Sequence, residues 1–274
     1  MTKKSKMKVA ICFYGLVGST TKKYGLGKKL DPTIAYQYYQ KNVFKNLTDF
    51  DVFIHSQSIE KKNKLKKLYK PAAYKIEHQK NFFLNTITHP QVLLALILFP
   101  YNIFKNLIFK KNNFTKNFKS KFVRCYNAYS RWYSLKEAVD LKKKYEIENN
   151  FKYDLVFLTR LDLAFITSFY FKKIDGKFLT VPNHNDVPTP RNNYMQKVQL
   201  NNKTYEKGIS DFWFISASDN IDKFASLVNR FKKYNISNHI SSLQHSKYLK
   251  LKLRFYKYRG LDHEAIRRLK FSKE

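Results

Sequence analysis

A chain of 274 residues, 43% apolar with seven Gly and seven Pro, has the length of one large α/β domain and enough apolar mass for its core. That excludes global disorder and collagen-like or low-complexity architectures. Fifty-three Lys plus Arg against 20 Asp plus Glu leave a formal charge of +33, which favours nucleotides, anionic lipid, acidic polysaccharide or nucleic acid as partners; because the lysines are spread along the whole sequence, a merely solvated basic surface is the alternative.

Lys8–Tyr14 is continuously apolar and stopped by Gly15 and Gly18, the pattern of a strand buried on both faces. Its core, Val9–Phe13, is too short for the apolar region of a signal peptide, which predicts a cytoplasmic protein. Asp31-Pro32 supplies an N-cap and a first-turn proline, and Ile34, Tyr38, Phe44 and Leu47 follow near helical spacing. Asp51–His55 is a second short buried strand, so the chain opens as an α/β unit. Leu65–Tyr74 is mixed and suggests no single element. Cys12 lies in the first strand and Cys125 near a helix start; two cysteines make neither a disulfide framework nor a zinc site.

Val92–Phe109 is strongly apolar and broken by Pro100, too short to span a bilayer, which takes ~20 apolar residues. Lys110, Lys111, Lys116, Lys119 and Lys121 follow, interleaved with Phe114, Phe118 and Phe122. This suits an anchor lying in an anionic membrane interface, with a buried helix followed by a solvated loop as the alternative. Residues 78–122 read as an apolar and basic insertion.

Arg124–Tyr145 carries Tyr129, Trp132, Leu135 and Val139 on one helical face. Asp154–Thr159 is a central strand. Pro182–Lys207, with Pro188 and Pro190, is a long polar loop of the kind that forms lids or binding loops. Asp211–Ser216 is a further strand, after which Ser218 or Asp219 caps a helix with Ile221, Phe224, Ala225, Val228 and Phe231 on its apolar face. A helix near His239–Lys250 and an alternating Leu251, Leu253, Phe255 strand complete the chain. The pattern predicts a single α/β domain over residues 1–274, with an open, mostly parallel twisted sheet flanked by helices.

The chemistry concentrates where the central strand ends. Arg160 and Asp162 stand two apart, so an extended backbone points both to one side. In open α/β sheets ligands bind beyond the carboxyl ends of the strands. There a guanidinium can clasp a pyrophosphate and a carboxylate can hold a divalent cation or a ribose hydroxyl. Gly15-Leu-Val-Gly18-Ser-Thr lacks the Gly-Lys-Ser/Thr ending of a P-loop, and no nucleophile elbow of a serine hydrolase is present. A basic nucleic-acid-binding protein would also use the charge and the aromatics, but no DNA- or RNA-binding signature occurs.

Several segments resemble GT-A-like, Rossmann-related glycosyltransferases of polysaccharide clusters and large viruses: Val9–Gly15, Phe50–Ser56, Tyr129–Glu146, Tyr153–Leu163 and Ser210–Leu227, about half the chain. The helix with Ser130-Arg131-Trp132-Tyr133-Ser134, followed by a Tyr-Asp strand ending in Arg-x-Asp, carries the resemblance. It implies transfer of a sugar from a nucleotide-sugar to a glycan or lipid-linked acceptor, with the base and ribose lying at Phe13, Tyr14 and Gly15. The usual metal motif of that fold is Asp-x-Asp; here Arg160-Leu161-Asp162 replaces one carboxylate by a cation, which should weaken Mn²⁺ or Mg²⁺ binding. Asp162 is then a metal or ribose ligand, and Arg160 neutralises the leaving diphosphate. Ser134 and Lys136 are placed to reach the donor phosphates, and Asp211 is the candidate to take the acceptor proton. His245 and His263 are late-chain candidates for a metal ligand or base, with a structural role as the alternative.

Overall fold

The computed structural model describes residues 7–17, 30–98, 114–183, 208–266 and 269. It begins with β1 (Val9–Gly15), α1 (Pro32–Asn42) and β2 (Phe50–Ser56). The Asp31 carboxylate accepts from the Thr33 amide at 2.9 Å, and Pro32 fills the first turn, where its missing N–H has no partner to lose. Residues 65–74 divide between α2 (Lys62–Tyr69) and β3 (Ala73–Ile76). β3 is a four-residue edge strand with a single buried side chain, too short to show a period in sequence.

Two short helices, α3 (Phe83–Ile87) and α4 (Pro90–Ile97), precede α5 (Phe114–Glu148), which is 35 residues long. The helix expected from Arg124 therefore starts at Phe114, and the insertion boundary at residue 122 falls inside it. Phe118 and Phe122, one turn apart with rings 6.3 Å from each other, extend the apolar face backwards through a lysine-rich stretch that reads as loop.

β4 (Leu155–Arg160), β5 (Leu163–Phe165), β6 (Leu179–Asn183), β7 (Trp213–Ser216), α6 (Ser218–Ala225), α7 (Leu227–Arg230), α8 (Asn238–Tyr248), β8 (Leu253–Tyr258) and β9 (His263–Ala265) follow. Three expectations change here. Pro182 and Asn183 belong to β6 rather than to a loop, Pro182 sitting where the pairing with β8 is irregular; residues 184–207 lie outside the described residues. The strand expected from Asp211 begins at Trp213. Neither Ser218 nor Asp219 caps α6, because the Ser218 hydroxyl donates to Glu146 at 2.7 Å and accepts from Lys142 at 2.6 Å. That buried ammonium also reaches Glu146 at 2.8 Å and Asp222 at 2.6 Å, tying α5 to α6.

The seven-stranded sheet has the order β3-β2-β1-β4-β7-β6-β8, and β5 and β9 form a separate antiparallel pair. β3, β2, β1 and β4 run parallel; β7 is antiparallel to both β4 and β6, and β8 is parallel to β6. The sheet is thus mixed but mostly parallel, flanked by helices. Alternation along β1 sorts its side chains: Val9, Ile11 and Phe13 pack with Ala35, Tyr39, Leu65 and Tyr69 of α1 and α2, whereas Ala10, Cys12 and Tyr14 pack with Cys125, Tyr129 and Trp132 of α5. Both faces are covered, which is why β1 and β4 read as unbroken apolar runs. The chain leaves β1 toward β2 over one face and returns to β4 on β1's other side, so the winding reverses between β1 and β4. A cleft at that reversal is a general property of such sheets.

Candidate functional site

Beyond the carboxyl ends of β1 and β4 lies a cavity of about 140 Å³. It is lined by Tyr14 and Gly15 from β1, Gln57 after β2, Ser130 and Arg131 from α5, and Arg160 and Asp162 from the end of β4. Gly15 holds φ +98°, a conformation that L side chains avoid even though a Cβ would meet nothing there. Its amide donates to Ser134 Oγ at 2.8 Å and its carbonyl accepts from Ser56 Oγ at 2.8 Å. The end of β1 is thereby fixed from both sides.

Arg160 and Asp162 meet as a two-pronged pair, Nε to Oδ1 at 2.7 Å and Nη2 to Oδ2 at 2.5 Å, with 8% and 3% of their surfaces exposed. Leu161 between them turns the other way, into the core beneath α1. Burial opposes the Arg160 charge, but the adjoining Asp162 carboxylate outweighs it and holds the guanidinium above its usual range. Tyr14 donates its hydroxyl to the Asp211 carbonyl at 3.1 Å, and burial pushes its phenol up to about 12 despite the nearby Arg131 and Arg160, so it remains a neutral donor.

A second ion pair stands across the cavity: Arg131 reaches over from α5 to the Asp211 carboxylate. His239 Nδ1 lies 3.6 Å from Asp211 Oδ1 and 3.0 Å from the Ile209 carbonyl. Burial, assisted by the charge of Arg131, lowers the His239 pKa to about 4, so the imidazole is neutral at pH 7. Gly208 makes this approach possible: its φ is +113°, and a Cβ there would sit 2.5 Å from the His239 backbone. Behind Arg160, the Phe212 ring is flanked by two guanidiniums, Arg160 at 5.4 Å and Arg259 at 4.8 Å, and Arg259 is paired to Glu264 at 3.1 Å. Three guanidiniums thus converge on this end of the sheet, each oriented by its own carboxylate.

The structure brings Tyr14, Gly15, Arg160 and Asp162 together as the sequence suggests, with Asp211 behind Arg131. It separates the others. Phe13 faces away from the cleft, wedged between Tyr39 and Tyr69 at ring distances of 4.8 and 4.7 Å. Ser134 lies beneath the site, holding the Gly15 amide and standing 2.7 Å from His55 Nδ1, not at the cavity wall. Lys136 pairs with Asp140 one turn along α5. His245 is buried under α6 between Tyr234 at 3.0 Å and Ser226 at 3.4 Å, its pKa pushed down to about 4 by burial. His263 is enclosed by Phe165, Phe212 and Trp213. The residue most plainly missed is Arg131: it belongs to the quoted Ser130–Ser134 run, but its helical phase relative to Trp132 is what turns it toward the cleft.

The described residues do not fit a divalent cation. Both oxygens of Asp162 are occupied by Arg160, Asp211 is held by Arg131, and no three His, Cys, Asp or Glu among the described residues cluster as ligands. A hard cation needs several free oxygen donors, and here they face guanidiniums. A larger hollow of about 870 Å³ opens at the amino ends of the strands between α1, β2 and α2. Its carboxylate, Asp51, already accepts from Tyr153 at 2.6 Å and pairs with Lys8 at 3.5 Å, so it offers less chemistry than the smaller cleft. No protein-family model matches the chain, and no curated protein matches it in sequence.

Proposed function

We propose that the protein is a GT-A-like glycosyltransferase that moves a sugar from a nucleotide-sugar to a glycan or lipid-linked acceptor. One observation carries this reading: Arg160 and Asp162 leave β4 side by side into the cleft at the β1–β4 reversal, and Arg131 faces them from α5. In glycosyl transfer the bond from the anomeric carbon to the donor diphosphate breaks and its electrons pass to phosphate oxygen. Fixed guanidiniums are suited to that developing charge, because their orientation is already held by Asp162 and Asp211. At about 140 Å³ the cavity is smaller than an ordinary ligand site of roughly 300 Å³ or more, the right scale for the diphosphate rather than the whole donor.

The arginines do in this reading what a metal does in Asp-x-Asp enzymes, so transfer is expected to persist in EDTA. The direct test is a thermal-shift screen against UDP-, GDP-, CMP- and dTDP-sugars, with and without Mn²⁺. A single nucleotide class at 100-fold over its Kd should stabilise by about 2.7 kcal/mol, several degrees in Tm. No response to any of the four, beside steeply salt-dependent oligonucleotide binding, would overturn the proposal in favour of a nucleic-acid-binding protein.

Asp211, expected from sequence as the proton acceptor, is better placed to hold Arg131. Asp211→Asn should therefore raise the donor KM about tenfold or more, the scale of a weakened charge-assisted bond, while the pH profile of kcat stays in place. A kcat collapse with an unchanged donor KM would return Asp211 to the role of base.

A further inference from the structure

α3 and α4 carry an apolar face that nothing among the described residues covers. α4 is docked by Val92 and Ala95, and its N-terminus is held by His89, whose ring packs on Phe231 at 5.3 Å. The opposite side exposes Leu93, Leu94, Leu96 and Ile97, with Ile97 65% and Leu94 58% accessible. On α3, Leu84 is 74% accessible, and Phe83 continues the patch onto α5 by meeting Phe122 at 5.7 Å. Scattered surface leucines need no explanation, but a contiguous patch does.

The charge around it is one-sided. No Asp or Glu occurs between Glu77 and Glu137. Lys119, Lys121 and Arg124 flank Phe122 along α5, and the sequence between α4 and α5 adds three lysines, Lys105, Lys110 and Lys111.

We infer that this α3–α4 face docks on the surface of an anionic lipid bilayer. Leucines and phenylalanines enter the acyl boundary while the surrounding ammonium groups meet headgroup phosphates, the two contributions that bind interfacial helices. A second copy of the chain fits poorly, since a two-fold contact would set the same uncompensated cations against each other. No helix among the described residues is long and apolar enough to cross a membrane, so the contact is one of surface. Gln79 lines the cleft and precedes patch residue Phe83 by four residues. On α5, cleft residue Asn127 follows patch residue Phe122 by about 7.5 Å of helix. Docking therefore brings the cleft close to the leaflet.

The test uses the full chain and needs no sugar donor, so it stands apart from the transferase reading. Flotation is measured with phosphatidylcholine vesicles, with and without phosphatidylglycerol. The wild type should float only with the anionic vesicles and less at high salt. Leu94→Asp/Ile97→Asp and, separately, Lys119→Glu/Lys121→Glu should each lower partitioning about tenfold or more. Leu94, Ile97 and Lys119 are exposed and Lys121 is half-buried, so an unchanged Tm verifies that the variants fold. Failure of the wild type to float, or flotation indifferent to both variants, would overturn the inference. A dimer in gel filtration that Leu94→Asp/Ile97→Asp dissociates, without vesicle binding, would reassign the face to a second copy. An inert monomer would assign it to the chain's own segment 99–113.

Discussion

Arg160→Leu is expected to abolish stabilisation by sugar nucleotides and to lower the unfolding free energy by about 3–5 kcal/mol, because it breaks a buried two-pronged ion pair. Asp162 is 3% exposed and both its oxygens lie on the guanidinium, so the substitution removes its bidentate partner. The single variant alone confounds folding with binding. Arg160→Leu/Asp162→Leu separates them: replacing a buried pair by apolar side chains is often neutral or stabilising, so most of the lost stability should return while the nucleotide response stays absent. Urea denaturation with and without the sugar nucleotide reads both quantities. A double variant that still gains stability from the donor would show that the pair only braces the end of β4, and the transferase reading would lose its central observation.

What the sequence made legible was local. Asp31-Pro32 starts α1 through a hydrogen bond two residues long, and Arg160 and Asp162, two residues apart, meet across the turn that ends β4. What it hid was long-range. Phe13 and Tyr14 are equally apolar neighbours on a strand covered on both faces; only the position of α5 decides that Tyr14 meets the cleft and Phe13 meets Tyr39. The same helix decides between Ser134, which turns inward to the Gly15 amide, and Arg131, which crosses to Asp211, 80 residues away in the chain. The antiparallel half of the sheet was obscured by short strands, one of them containing Pro182. The long run 78–122 looked uniform because lysines masked the register of Phe118 and Phe122.

The second large effect is at His263. Its ring stacks on Phe165 at 5.7 Å and presents edges to Phe212 at 5.8 Å and Trp213 at 6.0 Å, and neither ring nitrogen has a hydrogen-bond partner among the described residues. Burial depresses its pKa from 6.5 to about 3. Between those values the unfolded chain binds a proton there and the native protein does not, so stability rises with pH across the window and is lost on acidification from about pH 6.5 downward. Taken over the whole shift, the loss is about 4–5 kcal/mol, and His245, also depressed by burial, acts in the same direction.

His263→Phe should therefore do two things at once. At pH 7 it removes the desolvation cost of two unpaired nitrogens, a gain of about 1–3 kcal/mol if the aromatic box accepts the larger ring. At pH 4 it should retain several kcal/mol more than the wild type, because this titrating group is gone and the remaining acid loss is that of the other depressed groups, His239 and His245 among them. Urea midpoints measured at pH 7 and pH 4 separate the two effects. Parallel loss of stability in variant and wild type would exclude this imidazole as the acid-labile element and point to the buried carboxylate networks instead.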